Sequence, residues 1–175
     1  NIPLALPRPA RLEVTGETVW QSSANGTPAA APCLHGHLAV TPLIDARLGT
    51  VSLWAVDRRD GRPLWTTTLQ RNLSLSTKKS AGSAAPACDG QRIFLGVAVR
   101  GRLRISCVDL EGAALWTRDL GPVSSADGRL FAPLLHEALV IVAGENDGAG
   151  WSRSASHLTA LHRLTGEEIW RVRLS

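Results

Sequence analysis

Gly61-Arg62-Pro63-Leu64-Trp65 and Gly112-Ala113-Ala114-Leu115-Trp116 share one frame: glycine, three residues, then tryptophan, with an aliphatic residue just before the ring. The frame recurs as Gly16-Glu17-Thr18-Val19-Trp20 and as Gly166-Glu167-Glu168-Ile169-Trp170. It takes in four of the six tryptophans of the 175-residue chain, leaving Trp54 and Trp151 outside. Successive framed tryptophans lie 45, 51 and 54 positions apart, the spacing of propeller blades among repeat architectures. The chain is an array, and its function has to be read through that array.

Upstream of three frames lies a second recurring element. Ala31-Pro32-Cys33-Leu34-His35-Gly36-His37-Leu38-Ala39-Val40 aligns with Ala85-Pro86-Ala87-Cys88-Asp89-Gly90-Gln91-Arg92-Ile93-Phe94-Leu95. Ala132-Pro133-Leu134-Leu135-His136-Glu137-Ala138-Leu139-Val140-Ile141-Val142 is the third copy. Each predicts a short strand opened by proline, where no ladder donor is needed, then a tight turn and an apolar strand. His35-Gly36 and Asp89-Gly90 suit a turn with positive φ, whereas Glu137 departs from that chemistry. A third strand is predicted over Val51–Val56, Arg102–Val108 and Leu158–Leu161. The frame glycine then turns the chain into a fourth strand that closes on tryptophan, with Leu69, Leu120 and Leu174 each four residues further on. Glu13, Asp57 and Asp109 stand just upstream, placed to accept hydrogen bonds from turn amides; His162 holds this place in the last copy. Leu158, Leu161 and Leu164 also fit helical spacing. Thr165-Gly166 in their midst, and the register with the other copies, decide for strands.

The predicted fold is all-β: a partial β-propeller of about three four-stranded antiparallel blades plus a terminal strand. Residues 1–20 are expected to close a preceding blade, 21–65, 66–116 and 117–170 to form blades, and 171–175 a tail. A closed ring needs at least four blades, and the chain contains no Met. Both lead to the expectation of a segment from a longer propeller, with the remaining blades as partners.

Composition bounds the function. Hydrophobic residues make up 44%, enough for a packed core and against disorder. No run of 18 apolar residues occurs, so no transmembrane helix is expected. There is no signal-peptide pattern at the N-terminus, which in a segment is uninformative. The net charge of +4 is carried almost wholly by arginine, Lys78 and Lys79 being the only lysines. The arginines are spread through Arg58, Arg59, Arg62, Arg71, Arg92, Arg100, Arg102 and Arg104 among acids. That pattern fits solvated strand edges, and no nucleic-acid partner is expected. Cys33, Cys88 and Cys107 lack the spacing of a zinc site or redox dithiol and read as small buried hydrophobes.

With these elements in place, the chain resembles the quinoprotein-like (PQQ-like) propeller repeats, and in particular their bacterial BamB-type members. Trp54-Ala55-Val56-Asp57 through Trp65, Cys107-Val108-Asp109 through Trp116, and Thr159-Ala160-Leu161 through Trp170 carry the pattern. Ser83–Leu95 and Asp109–Gly121 look most like the BamB-type sequences. The resemblance covers nearly the whole chain. It implies either a non-enzymatic scaffold or a dehydrogenase that binds pyrroloquinoline quinone with calcium. Such dehydrogenases set a disulfide of adjacent cysteines against the quinone, ligate calcium through acids and amides, and use an aspartate base. Here no cysteines are adjacent. Glu145-Asn146-Asp147 is the one acid–amide cluster, and it reads as a solvated turn without six oxygens for calcium.

Candidates for catalysis are sparse. No Gly-x-Ser-x-Gly elbow and no phosphate-binding glycine loop is present. His35 and His37, two apart and able to share a strand face, are at most half a zinc site without a third ligand. No catalytic, cofactor-binding or metal residue is therefore assigned, and the frame residues Gly16, Trp20, Gly61, Trp65, Gly112, Trp116, Gly166 and Trp170 are read as structural. The long connections are expected at Gln70–Ala84, around Asp45–Thr50, and at Gly144–Ser156, all on one face. Lys78, Lys79 and Trp151 are the candidate partner-binding residues there. The leading reading is a non-catalytic protein-binding or scaffolding module at the periplasm or cell surface. The alternatives are a quinoprotein oxidoreductase with its cofactor site mostly elsewhere, and the sensor domain of a membrane regulatory protein.

Overall fold

Largely apolar runs separated by glycine-bearing turns produce a chain of antiparallel strands. The computed structural model describes residues 18–71, 81–123, 131–145 and 156–174, and contains no helix among them. The first sheet holds β1 (Thr27–Pro28), β2 (Cys33–His35), β3 (Leu38–Asp45), β4 (Thr50–Asp57) and β5 (Pro63–Gln70). In the second lie β6 (Ala81–Ser83), β7 (Ala87–Cys88), β8 (Arg92–Val99), β9 (Arg102–Asp109) and β10 (Ala114–Pro122). The third runs β11 (Leu134–His136), β12 (Leu139–Gly144), β13 (His157–His162) and β14 (Glu168–Arg173). Each sheet is a meander whose long strands pair with their neighbours in sequence.

The first strand of the first two blades is split. β1 and β2 both pair with β3, and β6 and β7 both pair with β8. In the first sheet the gap faces Pro42, which has no N–H for the ladder. The Pro42 carbonyl still accepts from the Ala29 N–H at 2.9 Å, and the Thr41 hydroxyl donates to the Ala30 carbonyl at 3.1 Å. The inner strand therefore loosens where a proline removes its partner.

Two apolar layers join the sheets. Val40, Val51, Leu53 and Ala55 of the first meet Ile93, Leu95, Val97 and Val108 of the second. On the other side of the second sheet, Phe94, Leu103, Ile105 and Cys107 meet Val140, Val142 and Leu161 of the third. The rings of Phe94 and Trp116 lie 6.0 Å apart, tilted by 48°, within the range of favourable aromatic pairs.

Three framed tryptophans reach the glycine of the following frame, Trp65 and Trp116 across such a layer. A Cβ on Gly61 would stand 2.5 Å from the Trp20 ring, one on Gly112 2.7 Å from Trp65, and one on Gly166 2.6 Å from Trp116. No side chain fits at such a distance. These glycines also have φ of 73°, 88° and 68°, a region costly to residues with a Cβ. The indole N–H then donates to a carbonyl of the same turn: Trp20 to Arg58 at 2.8 Å, Trp65 to Leu110 at 2.8 Å, Trp116 to Arg163 at 3.1 Å. Trp170 meets no such turn among the described residues and is 36% exposed.

Two turns differ from the sequence expectation. The stretch Asp45–Thr50, expected as a long connection, is a tight turn, because β3 runs through Asp45 and β4 begins at Thr50. The Asp45 carboxylate closes it by accepting from the N–H groups of Arg47 (2.9 Å) and Leu48 (3.0 Å). Glu137, which lacks the glycine of the other two copies, nonetheless adopts their positive φ, at 49°. The three-sheet register imposes the conformation on a residue that disfavours it.

The glycine and the ring make separable contributions. Gly36 has a positive φ of 54° but open space around its Cβ position, whereas Gly166 has both a positive φ and the Trp116 ring. Gly36→Ala is expected to cost about 1 kcal/mol from backbone strain alone, and Gly166→Ala an additional ~1–3 kcal/mol from overpacking. Trp116→Ala is expected to cost roughly 3 kcal/mol and clearly more than Trp54→Ala, whose ring lines an open cavity. Urea denaturation of the four variants measures these differences. Equal losses within each pair would refute the role given to ring and glycine.

Candidate functional site

The titratable residues of the repeats sit mostly in turns, where their polar atoms close the backbone. Asp57 is 1% exposed and receives the Arg59 side chain through Nε at 2.9 Å and Nη2 at 2.6 Å, plus the Arg59 N–H at 3.0 Å. The hydrogen bonds and charge of Arg59 hold its carboxyl well below the usual carboxylate range. Asp109, at the same place in the next blade, accepts from the Ala113 N–H at 2.7 Å. In the third, His162 Nδ1 lies 3.4 Å from the Thr165 hydroxyl. Glu13 lies outside the described residues.

Asp89 and Asp119 serve the same end. The Asp89 carboxylate accepts from the N–H groups of Gln91 (2.9 Å) and Arg92 (2.7 Å), and pairs with Arg163 of the third sheet at 3.7 Å. Asp119 is gripped by Arg102 at 2.9 Å and neighboured by Arg104 at 3.5 Å. These contacts lower its pKa, the Arg102 hydrogen bonds foremost.

His35 and His37 do not share a strand face as the sequence suggested. β2 ends at His35, and His37 falls in the turn that follows. Among the described residues no three His, Cys, Asp or Glu side chains come close enough to hold a metal ion. Glu145 is exposed at the end of β12, and its neighbours Asn146 and Asp147 lie outside the described residues. The three cysteines are free thiols, and no two are neighbours in sequence. Gly16, Lys78, Lys79 and Trp151 also lie outside the described residues.

A cavity of about 470 Å³ opens on the first sheet, with Ser23, Asn25, Leu43, Trp54 and Thr66 in its wall. Register places Leu43, Trp54 and Thr66 on the face turned away from the second sheet. Among the described residues its polar groups are those of Ser23, Asn25, Trp54 and Thr66, which offer hydrogen bonds.

Two residues carry an unforeseen role. Thr67 and Arg118 each stand two places after a framed tryptophan, and both donate to the carbonyl of the glycine under that ring. The Thr67 hydroxyl bonds Gly112, and Arg118 bonds Gly166 at 2.9 Å and Thr165 at 3.0 Å. A donor side chain at this offset is the signal in the sequence, hidden because the two types differ. Arg171, likewise, reaches back to the Leu120 carbonyl at 2.9 Å.

Residues 10–116 and 49–175 match a family model described as outer membrane protein assembly factor BamB. No curated protein matches significantly. Among solved structures, BamB from Moraxella catarrhalis is similar at 20% identity with a TM-score of 0.53, over 91% of this chain and 56% of that one. The quinohemoprotein alcohol dehydrogenase from Comamonas testosteroni is similar at 20% identity and a TM-score of 0.62, over 88% of this chain and 22% of that one. A europium-containing methanol dehydrogenase gives 18% identity and a TM-score of 0.66, over 87% and 26%. The chain spans about a quarter or less of the dehydrogenases it resembles and about half of BamB. At these identities the likeness to solved structures is one of fold: this chain is part of a quinoprotein-like β-propeller.

The lowered pKa of Asp57 has a consequence for acid stability. A carboxylate that titrates lower in the folded chain than in the unfolded one stabilises above its unfolded value, near 3.8, and the benefit disappears as pH falls toward the folded value. Asp57→Asn is therefore expected to lower Tm by a constant margin from neutral pH down to about pH 5, with the gap to wild type narrowing below about pH 4. Calorimetry across that range reads the margin. A gap that widens on acidification would refute the assignment.

Proposed function

The chain belongs to the family of the outer membrane protein assembly factor BamB, and from that membership we propose that it acts as a non-catalytic protein-binding or scaffolding module within a longer propeller, outside the cytoplasm. The observation that supports this most directly is the structural employment of its acids. Asp57, Asp89, Asp109 and Asp119 are all held by arginines or turn amides, which leaves none of them poised as a general acid or base. The partner is a protein or an extended peptide segment. β14 is an edge strand among the described residues, and Ile169, Val172 and Leu174 on and beside it are exposed. An exposed apolar edge suits the addition of a strand. The connections bearing Lys78, Lys79 and Trp151 are further contact candidates. A periplasmic or cell-surface location rests on the description of the family as an outer membrane assembly factor. No cofactor is proposed.

A titration with two arms tests the reading. Pyrroloquinoline quinone with calcium, followed by tryptophan fluorescence, is expected to give no saturable binding. An extended peptide of alternating valine and threonine carrying a fluorophore is expected to bind saturably and to lose about tenfold in affinity on Val172→Asp. Micromolar quinone binding abolished by a chelator would overturn the scaffold in favour of a quinoprotein oxidoreductase. Peptide binding unaffected by Val172→Asp would remove β14 as the contact.

A further inference from the structure

Cys33 and Cys88 belong to different sheets, and strand register turns them into the same layer. Cys33 on β2 lies opposite Val40, and Cys88 on β7 lies opposite Ile93. Directly opposed residues of an antiparallel pair share a face. Val40 and Ile93 both belong to the apolar layer between the first and second sheets, and both cysteines pack against it. The two short strands lie beside each other. His35 at the end of β2 comes within 3.4 Å of where a Cβ on Gly90, just past β7, would stand.

The offset of the two cysteines explains the meeting. Cys33 stands three residues before the turn glycine Gly36, and Cys88 two residues before Gly90. Side chains alternate faces along a strand, so one extra residue reverses the direction. Cys33 therefore faces forward from its blade, and Cys88 faces backward from the next. Cys107 lies opposite Phe94 and belongs to the layer between the second and third sheets. The second sheet separates it from the pair.

From this juxtaposition we propose that Cys33 and Cys88 form a disulfide that staples the first blade to the second when a small-molecule disulfide is available as oxidant. One cysteine thiolate attacks the oxidant and releases one small thiol, leaving a mixed disulfide. The other cysteine thiolate then attacks the protein sulfur of that bond and expels the second small thiol. The pair loses two protons and two electrons, and the oxidant disulfide becomes two thiols. Burial pushes both thiols up, Cys33 to about 11 with the Cys88 charge contributing, so little thiolate is present at neutral pH and closure is slow. The bond would close a loop between positions 33 and 88, restricting the unfolded chain far more than the folded one.

The test is prolonged incubation of the chain with oxidised glutathione under native conditions, then thiol blocking and tryptic peptide mapping. The expected result is the peptide holding Cys33 joined to the one holding Cys88, one free thiol at Cys107, and a Tm raised by about 5 °C that reverts on reduction. Cys107→Ser should keep the link and Cys33→Ser should abolish it. The map of the unsubstituted chain decides even where a variant folds poorly. Three free thiols after oxidation, a link running through Cys107, or a link that forms only in denaturant would overturn the proposal.

Discussion

The seating of a tryptophan ring on a glycine of the following blade is the contact on which the rest of this architecture depends. It is a steric lock before it is a source of free energy. With 2.5 to 2.7 Å between ring and absent Cβ, only hydrogen can occupy that side of the backbone. The same residue must also take a positive φ, so two independent constraints select glycine at one position. The indole N–H fixes the rotation of the ring by reaching a carbonyl in the same turn. Thr67 and Arg118 add a second donor from the same strand. Blade spacing is thereby set at the rim, and the aliphatic layers fill the distance that this contact defines.

That division of labour explains where the chain tolerates irregularity. The split inner strands at Pro42 and between β6 and β7 break ladder pairing without breaking the apolar layers. Glu137 takes up a left-handed conformation in a turn whose other copies use glycine. A conformation of this kind costs about 1 kcal/mol or somewhat more and persists only where surrounding structure demands it. β11 and β12 on either side of that turn supply the demand through their ladder.

The blades were legible in the sequence because their signals are local and repeated. A frame of glycine and tryptophan, a proline before a short strand, and an acid before a turn each report on a few neighbouring residues. What joins the blades was not legible in the same way. Trp65 and Gly112 are partners, yet nothing in one frame names the next, so the sequence does not say which glycine a ring meets. The meeting of Cys33 and Cys88 was hidden for a similar reason. Its sign is a one-residue offset against the turn glycine, which acquires meaning only when two sheets face each other. For the histidine pair, a spacing of two permits one strand face, but β2 ends at His35 and His37 falls in the turn.

The same logic assigns the cavity beside Trp54. Ala55 and Cys107 both lie opposite a framed tryptophan, so Trp54 in the first sheet corresponds to Ser106 in the second. Ser106 is buried, and its hydroxyl lies 3.0 Å from Thr117 on the face that meets the first sheet. The cavity therefore occupies a position that, one blade further on, is covered by the side chains of a neighbouring blade. Its walls of Leu43, Trp54 and Thr66 stand at the positions where the second sheet meets the first. Trp170, half-exposed on the opposite side of the array, is the forward half of the same kind of surface. Trp54 and Trp170 thus occupy positions that face a neighbouring sheet elsewhere in the array.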